Sequence, residues 1–326
     1  MPGRSGEALR LAIASASSHQ QALVEEFLYE RNVLMLAGAP GTGKSILAAQ
    51  LALALTTGSV TFGSLQVPHP RSVYYLQLEG SEQDAFERLR RMGAKIPTDT
   101  EHLCWDFRKG LNLLDPKQAL ALLADIAAWR KPDLLILDPL YQTVFGELSA
   151  ELPTKALIRF LDMALTKFDP MAILLVHHTK KPSYSATGTL IDEDDPFYGS
   201  QWLKAYVDTS YLLKGAKTAR KDHVVLVNKK DRHSSCAKEL FLHYEPETDT
   251  VTTDVAADQQ SGYERVLNYL RVVKGTGLST DFYEVMERCT LSYQHLRRIQ
   301  VQLLAKGMIR CDKYSGKKKL WEVISV

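Results

Sequence analysis

A glycine-rich turn between a short apolar run and an alanine- and leucine-rich helical pattern constrains this chain most. Residues 38–45 read Gly-Ala-Pro-Gly-Thr-Gly-Lys-Ser and fit the pattern G-x-x-x-x-G-K-[ST]. The apolar run 33–37 predicts a buried strand, and residues 46–55 predict the helix that follows. Because a phosphate-binding loop joins a strand to a helix, this context favours such a loop over a chance match.

Each residue type in the loop has a physical reason. Gly38, Gly41 and Gly43 allow backbone torsions that side chains exclude, so successive N–H groups can turn toward a phosphate at the start of the helix. Lys44 is expected to reach the β- and γ-phosphates, and the Ser45 hydroxyl is expected to coordinate Mg²⁺. The predicted cofactors are ATP and Mg²⁺, held by Gly38, Ala39, Pro40, Gly41, Thr42, Gly43, Lys44 and Ser45.

Two acidic residues follow predicted strands after this loop. Asp138 ends the apolar run 134–137 and is expected to hold the hydration shell of Mg²⁺ beside Ser45. Glu79 follows a strand predicted over 72–78, at the sheet edge where open α/β sheets bind ligands. It is therefore a candidate to orient or deprotonate the attacking water. A surface glutamate that caps the next helix is the alternative interpretation.

Two histidines and a long polar loop follow the strand predicted over 171–176. The histidines lack further ligands at metal-binding spacing, so His178 is interpreted as a contact of the γ-phosphate rather than as a metal ligand. Loops as long as 180–200 inside a compact domain are usually functional or mobile. The candidates in this loop to touch a nucleic-acid backbone or stack on a base are Lys180, Lys181 and Tyr184.

Composition limits the class of protein. The 326 residues are 45% hydrophobic and 24% charged, as expected for one sizeable domain and a small second one. We see no apolar run long enough to cross a membrane and no basic-then-apolar leader, so a cytoplasmic protein without a membrane partner is expected. Four scattered cysteines without a C-x-x-C pair predict neither a zinc site nor a disulfide framework.

Basic charge is concentrated at the C-terminal end. The whole chain has a net charge of +2, but residues 261–326 hold twelve Lys and Arg against six Asp and Glu. This asymmetry favours an anionic partner for the C-terminal part, with a solvated basic face as the alternative. The polar, acidic segment 245–260 predicts a linker, which we place at 254–261.

Three helical patterns and a hairpin after this linker resemble a winged-helix domain over 262–326. The third helix, predicted over 292–306, is expected to bury Leu296, Ile299, Leu303 and Leu304. The same helix and the hairpin tip present candidate DNA contacts: Arg297, Arg298, Lys317, Lys318 and Lys319. Contacts to a protein are the alternative use of such a domain.

Six motifs follow one another over residues 21–253: the loop 38–45, Leu78-Glu79, Leu-Ile-Leu-Asp138-Pro-Leu, Val176-His-His-Thr-Lys180, Gly199-Ser200 through Asp208, and Lys230-x-Arg232. In this order and spacing they resemble the RecA-like hexameric ATPases, especially the plasmid RepA-type replicative helicases and, more distantly, KaiC and DnaB. AAA+ enzymes usually carry a glutamate after the strand-end aspartate, whereas this chain has Pro139, so the catalytic acid must lie elsewhere.

The resemblance implies an α/β fold with a mostly parallel sheet, preceded by an N-terminal extension over 1–20. It also implies a ring, expected to be a hexamer, with ATP between subunits and with Lys230 and Arg232 reaching the neighbour's site. A basic turn beside a strand is the alternative for that pair. The loops after Asp138, over 141–147, and after His178 are expected to line a channel for single-stranded DNA.

The expected function is that of a Mg-ATP-dependent DNA helicase or translocase in replication. Two other functions stay open. One is a recombination ATPase that forms filaments, which electron microscopy with DNA would distinguish from rings. The other is a regulatory switch whose C-terminal domain binds DNA or a protein.

Overall fold

Nine strands form one sheet in the part of the chain that the structure describes. The computed structural model describes residues 5–15, 20–59, 65–96, 99, 101–145, 150–179, 201–215, 223–232, 236–253, 255–276, 279–289, 291, 293–315 and 318–324. The sheet strands are β3 (Val33–Gly38), β4 (Val73–Gln77), β5 (Leu103–Phe107), β6 (Leu134–Asp138), β7 (Ala172–His178), β8 (Thr209–Gly215), β9 (His223–Asp231), β10 (Glu239–Glu245) and β11 (Thr250–Thr253). A separate antiparallel pair precedes them, β1 (Ala22–Val24) and β2 (Leu28–Tyr29).

The strand order is β11-β10-β9-β8-β3-β7-β6-β4-β5. The six strands from β8 to β5 are parallel, and β9, β10 and β11 extend the sheet in antiparallel pairs. The predicted α/β fold with a mostly parallel sheet is therefore confirmed. Strand β5 was not predicted, because its pattern Leu-Cys-Trp-Asp-Phe is neither alternating nor fully apolar.

Helices cover both faces of this sheet, as parallel strands require. Helix α2 packs on one face and is almost entirely buried, which explains why its Ala/Leu sequence lacks a polar side. Helices α4 and α5 pack on the other face. The helices of this part of the chain are α1 (Gly6–Ser15), α2 (Lys44–Thr57), α3 (Glu82–Met92), α4 (Pro116–Trp129), α5 (Glu151–Lys167) and α6 (Gln201–Tyr206).

The register of the strands brings the predicted motifs to one edge of the sheet. In the β3–β7 pair Gly38 lies opposite His178, and in the β4–β6 pair Gln77 lies opposite Asp138. Since β7 and β6 are also neighbours, the carboxyl ends of four adjacent strands meet there. This is the edge at which open α/β sheets bind ligands.

The C-terminal residues build a second, smaller core. Its elements are α7 (Val255–Thr276), β12 (Thr280–Asp281), α8 (Phe282–Cys289), α9 (Tyr293–Ala305), β13 (Ile309–Ser315) and β14 (Lys318–Val323), with the sheet order β12-β14-β13. Val266, Leu296 and Trp321 lie in this core. The predicted hairpin corresponds to the antiparallel pair β13–β14.

One prediction about this region is wrong. Leu304 was expected in the core but is 41% exposed, because the buried stripe of α9 runs through Leu296, Ile299 and Leu303. The segment 245–260, whose composition suggested a linker, contains β11, which pairs with β10, and the start of α7 at Val255, so residues 255–261 are helical. Strand β11 was not predicted because its segment is polar. The N–H and C=O groups of Val251 in this strand form hydrogen bonds with the buried side chain of Gln50 on α2. No described helix is long and apolar enough to cross a membrane.

Candidate active site

The glycine-rich turn has the backbone geometry that the sequence predicts. Gly41 and Gly43 adopt φ values of +75° and +91°, in the left-handed region that favours glycine. Gly38 is required for a different reason, since a Cβ there would lie 2.8 Å from Thr42 Oγ1 and 2.9 Å from the Leu213 carbonyl oxygen. These torsions and this close approach let the chain turn tightly into the start of α2, where an anion is favoured by the helix dipole.

Lys44 lies at this helix start with its ammonium group inside the turn. Its Nζ donates a hydrogen bond to the Ala39 carbonyl oxygen at 2.8 Å, and the side chain is largely buried. Burial lowers the pKa of Lys44, although Asp138 and Glu79 oppose this effect. Ala39 and Pro40 are exposed at the outer side of the turn. A cation held this way is available to a phosphate that enters the turn.

Asp138 lies beside Ser45, as predicted for a shared metal site. The Ser45 Oγ donates to Asp138 Oδ1 at 3.1 Å, and the Tyr75 hydroxyl donates to Oδ2. Burial raises the pKa of Asp138, while the bonds from Tyr75 and Ser45 lower it. Oδ1 therefore lies beside the loop at Ser45, whereas Oδ2 is held by Tyr75 on strand β4, and carboxylate and hydroxyl oxygens of this kind suit Mg²⁺. Tyr75 is a site residue that sequence reasoning missed, because its pattern is that of a buried strand position.

Glu79 lies in the same cavity with an exposed side chain. Its backbone oxygen accepts a hydrogen bond from Gln77 Nε2 at 2.8 Å, and its Oε2 accepts one from the Tyr141 hydroxyl at 2.6 Å. The Tyr141 ring lies 5.1 Å from the His178 ring, measured between centroids. Burial, and then the charge of Lys44, lower the pKa of His178, so this imidazole is neutral at neutral pH.

Arg88 is a second residue that the sequence analysis did not select. It lies on α3, lines the cavity together with Asp138 and Glu79, and its buried Nε has no hydrogen-bond partner among the described residues. The sequence does contain a signal for Arg88. Its spacing from Ala85 and Met92 places it on the same face of α3 as these two residues, which are both buried.

One cavity of about 520 Å³ is lined by the side chains of the candidate site that were predicted from the P-loop and the strand ends, namely Lys44, Ser45, Glu79, Asp138 and His178. Its polar end is formed by the turn, Lys44, Ser45, Glu79 and Asp138. The far end is apolar and is contributed by strands β8 to β11, through Leu213, Val224, Tyr244 and Val251. A volume of this size, with an anion-binding end and an apolar end, fits a nucleotide.

Lys230 and Arg232 lie outside this cavity and bind the C-terminal end of α6 in their own chain. Lys230 Nζ donates to the carbonyl oxygens of Lys204 and Val207 at 2.7 and 2.5 Å. Arg232 contacts Asp208 Oδ1 at 2.8 Å and a further carbonyl oxygen of α6. Cations at a helix C-terminus are favoured by its dipole, so this arrangement is stable within one chain.

The predicted nucleic-acid contacts are described only in part. Lys180, Lys181, Tyr184 and Lys317 lie outside the described residues, and Lys318 and Lys319 are described only as backbone of β14. Arg297 and Arg298 are exposed on α9, as predicted. The same helix also exposes Val301 and Leu304, at 57% and 41%.

Comparison with known proteins agrees with this geometry. The sequence model of a family described as an AAA domain matches residues 8–184, more than half of the chain. No curated protein sequence matches.

Solved structures show the fold. The ATPase domain of G40P has 12% identity and a TM-score of 0.53, covering 75% of this chain and 95% of its own. A DnaB-like replicative helicase has 13% identity and a TM-score of 0.52, covering 75% of this chain and 66% of its own. A KaiC-like protein from Pyrococcus horikoshii has 14% identity and a TM-score of 0.50, covering 71% and 93%. The chain thus belongs to the AAA domain family, carries the P-loop sequence motif and shares its fold with these three proteins.

Proposed function

We propose that this protein hydrolyses ATP with Mg²⁺ and uses the energy to move along single-stranded DNA as a replicative-type helicase or translocase. The observation that carries the ATPase part is the convergence of Lys44, Ser45, Asp138 and Glu79 around one cavity with the P-loop at its end. Pro139 follows Asp138, so the strand-end acid has no adjacent glutamate, and Glu79 from the neighbouring strand is the carboxylate available for water.

Each residue has a part in the proposed hydrolysis. The Lys44 ammonium and the N–H groups of the turn hold the β- and γ-phosphates. Ser45 and Asp138, whose side-chain oxygens lie 3.1 Å apart, would hold Mg²⁺, and the bound ion would supply positive charge beside the phosphates. Glu79 orients the attacking water, and the neutral His178 contacts the γ-phosphate from the end of β7.

The proposed assembly is a ring, with six subunits, in which Lys230 and Arg232 complete the neighbour's site. Their bonds to α6 involve backbone carbonyl oxygens and Asp208, and a phosphate in the neighbouring cavity competes for the same cations. An arginine supplied in trans contributes about 10³ to 10⁵ in rate in related phosphoryl-transfer systems. Hydrolysis should therefore depend on protein concentration.

DNA is the proposed substrate of movement. The segments after Asp138 and after His178 follow the active-site strands directly, so a strand of DNA that binds them can influence hydrolysis. One of the structural neighbours is a replicative helicase, which supports this part by likeness of fold alone.

The test is steady-state ATP hydrolysis with and without single-stranded DNA over a range of protein concentrations, with Lys44→Ala as the blank. We expect rates per subunit that rise with both DNA and protein, followed by duplex unwinding in a strand-displacement assay. Rates that ignore DNA would refute the motor and leave the ATPase. An absence of hydrolysis above the Lys44→Ala blank would refute both.

A regulatory ATPase switch with a protein-binding C-terminal domain is the second candidate. The observation that favours it is the apolar pair Val301 and Leu304, exposed on the helix that a winged-helix domain would place against DNA. In the full chain, Arg297→Ala with Arg298→Ala should weaken DNA binding if α9 contacts DNA. The pair Val301→Ser with Leu304→Ser should leave DNA binding unchanged in that case.

A further inference from the structure

We propose that Tyr141 is a positioning residue for ATP hydrolysis, which sets the orientation of the Glu79 carboxylate and of the His178 ring. This inference rests on the proposed function, since it assigns a role within the same reaction. It adds a residue that lies outside the P-loop, the strand-end acid and the predicted catalytic residues.

The topology of the sheet puts Tyr141 between these two side chains. Tyr141 lies in a 3-10 helix, Leu140–Thr143, that starts two residues after Asp138 at the end of β6. Strand β6 lies between β7, which ends at His178, and β4, which leads to Glu79. A side chain that leaves the middle strand can therefore reach the ends of both neighbours.

The contacts agree with this position. The Tyr141 hydroxyl donates to Glu79 Oε2 at 2.6 Å, and its ring is tilted 51° to the His178 ring at 5.1 Å. No other described residue donates a hydrogen bond to the Glu79 carboxylate. The hydrogen bond to Glu79 and partial burial raise the pKa of Tyr141, so the hydroxyl keeps its proton at neutral pH and remains a donor.

The need for such a partner follows from the exposure of Glu79. An exposed glutamate samples several rotamers, and only some of them direct an oxygen at a water beside the γ-phosphate. When Oε2 is held by the phenol, Oε1 is left to accept the proton of the water. The backbone of Glu79 is held separately by Gln77, so the hydroxyl of Tyr141 restricts only the side chain.

The experiment compares Tyr141→Phe with the wild type in the full-length protein, with kcat and KM for ATP measured at one protein concentration. The Phe ring preserves the contact with His178 and removes only the hydroxyl. We expect kcat to fall about tenfold and KM to change less than twofold. General base catalysis typically contributes a factor of about 10² to 10⁴ in rate, and the loss of positioning should remove only a part of that factor. The matched control is Tyr269→Phe, which removes a hydroxyl bonded to Glu284 at 2.9 Å in the C-terminal core and should leave kcat unchanged.

A double-mutant cycle distinguishes positioning from a general loss of structure. In a Glu79→Gln background, Tyr141→Phe should have no further effect on kcat, because the group that it orients is no longer a base. A multiplicative loss in that background would overturn the proposal. So would a Tyr141→Phe kcat equal to or above that of the wild type, or a change confined to KM. Failure of the wild type to hydrolyse ATP would instead refute the proposed function.

Discussion

Removing the hydroxyl of Tyr75 should weaken the metal site while the fold is preserved. Tyr75 is 1% exposed, its ring stacks on Trp105 with centroids 3.8 Å apart and planes within 8°, and its hydroxyl donates to Asp138. Tyr75→Phe retains the stack and leaves one buried carboxylate oxygen without its donor. A hydrogen bond to a charged group contributes about 1.5–3 kcal/mol. For a chain of this size that corresponds to a decrease in Tm of about 3–12 °C.

The effect should depend on pH with a definite sign. Burial raises the folded-state pKa of Asp138 above its ordinary value of 3.8, because removing the charged carboxylate from water costs more free energy than removing the neutral acid. Stability from this group is present below pH 3.8 and is lost as pH rises through the folded-state pKa. Tyr75→Phe raises that pKa further, because a donor to the charged form is lost. The Tm difference from the wild type should therefore be larger at a pH above the folded-state pKa of Asp138 than at a pH below it.

Thermal unfolding followed by circular dichroism at the two pH values measures this difference, and ATPase titrations with Mg²⁺ measure the site. We expect the Mg²⁺ concentration for half-maximal rate to rise in Tyr75→Phe. The neighbouring Tyr74→Phe is the matched control, since the Tyr74 hydroxyl donates to Asp106 at 2.5 Å on the opposite face of the strand. Equal Mg²⁺ dependence in the two variants would refute the role assigned to Tyr75.

Three further predictions test other parts of the structure. Gly38→Ala should abolish binding of a fluorescent ATP analogue, because the added Cβ would lie 2.9 Å from the Leu213 carbonyl oxygen. The control Gly275→Ala should bind the analogue normally, since a Cβ at that position has no neighbouring atom within 4 Å. Gln50→Ala should lower the free energy of unfolding in urea by about 2–4 kcal/mol, since it leaves the buried N–H and C=O groups of Val251 unpaired; a loss below about 1 kcal/mol would contradict this. Arg232→Ala should be nearly inactive alone and should regain ATPase activity when mixed with Lys44→Ala. In a mixed assembly the Arg232→Ala subunit supplies an intact cavity and the Lys44→Ala subunit supplies an intact arginine. No recovery would argue that Arg232 acts only within its own chain.

Predictions from local patterns were accurate where the physics is local. The apolar run 134–137 and the acid that ends it coincide with β6, which spans Leu134–Asp138. The conformation of the glycine-rich turn could also be predicted, because its backbone torsions and short-range steric limits determine which residues can occupy it.

Predictions failed or were missing where a polar side chain finds its partner far along the chain. Gln50 bonds the backbone of Val251 and thereby joins β11 to α2, although the composition around β11 indicated a linker. Tyr75, whose hydroxyl donates to Asp138 on another strand, had the pattern of an ordinary strand residue. Arg88, whose buried Nε has no hydrogen-bond partner among the described residues, had the pattern of an ordinary helix residue. Leu304 has the spacing of a core residue of α9 but is exposed. The apolar residues of a helix form a stripe, and the sequence does not show which side of that stripe packs against the rest of the domain.

The sequence by itself determined which residue types the candidate site holds: a glycine-rich turn, a strand-end aspartate and an acid after the neighbouring strand. Only the tertiary structure decided which side chains hydrogen-bond to these groups, namely Tyr75 to Asp138 and Tyr141 to Glu79. The physical reason is the order of the strands. Residues 63 and 62 positions apart become hydrogen-bond partners because β6 inserts between β7 and β4, and that order follows from the packing of the whole sheet rather than from any local pattern.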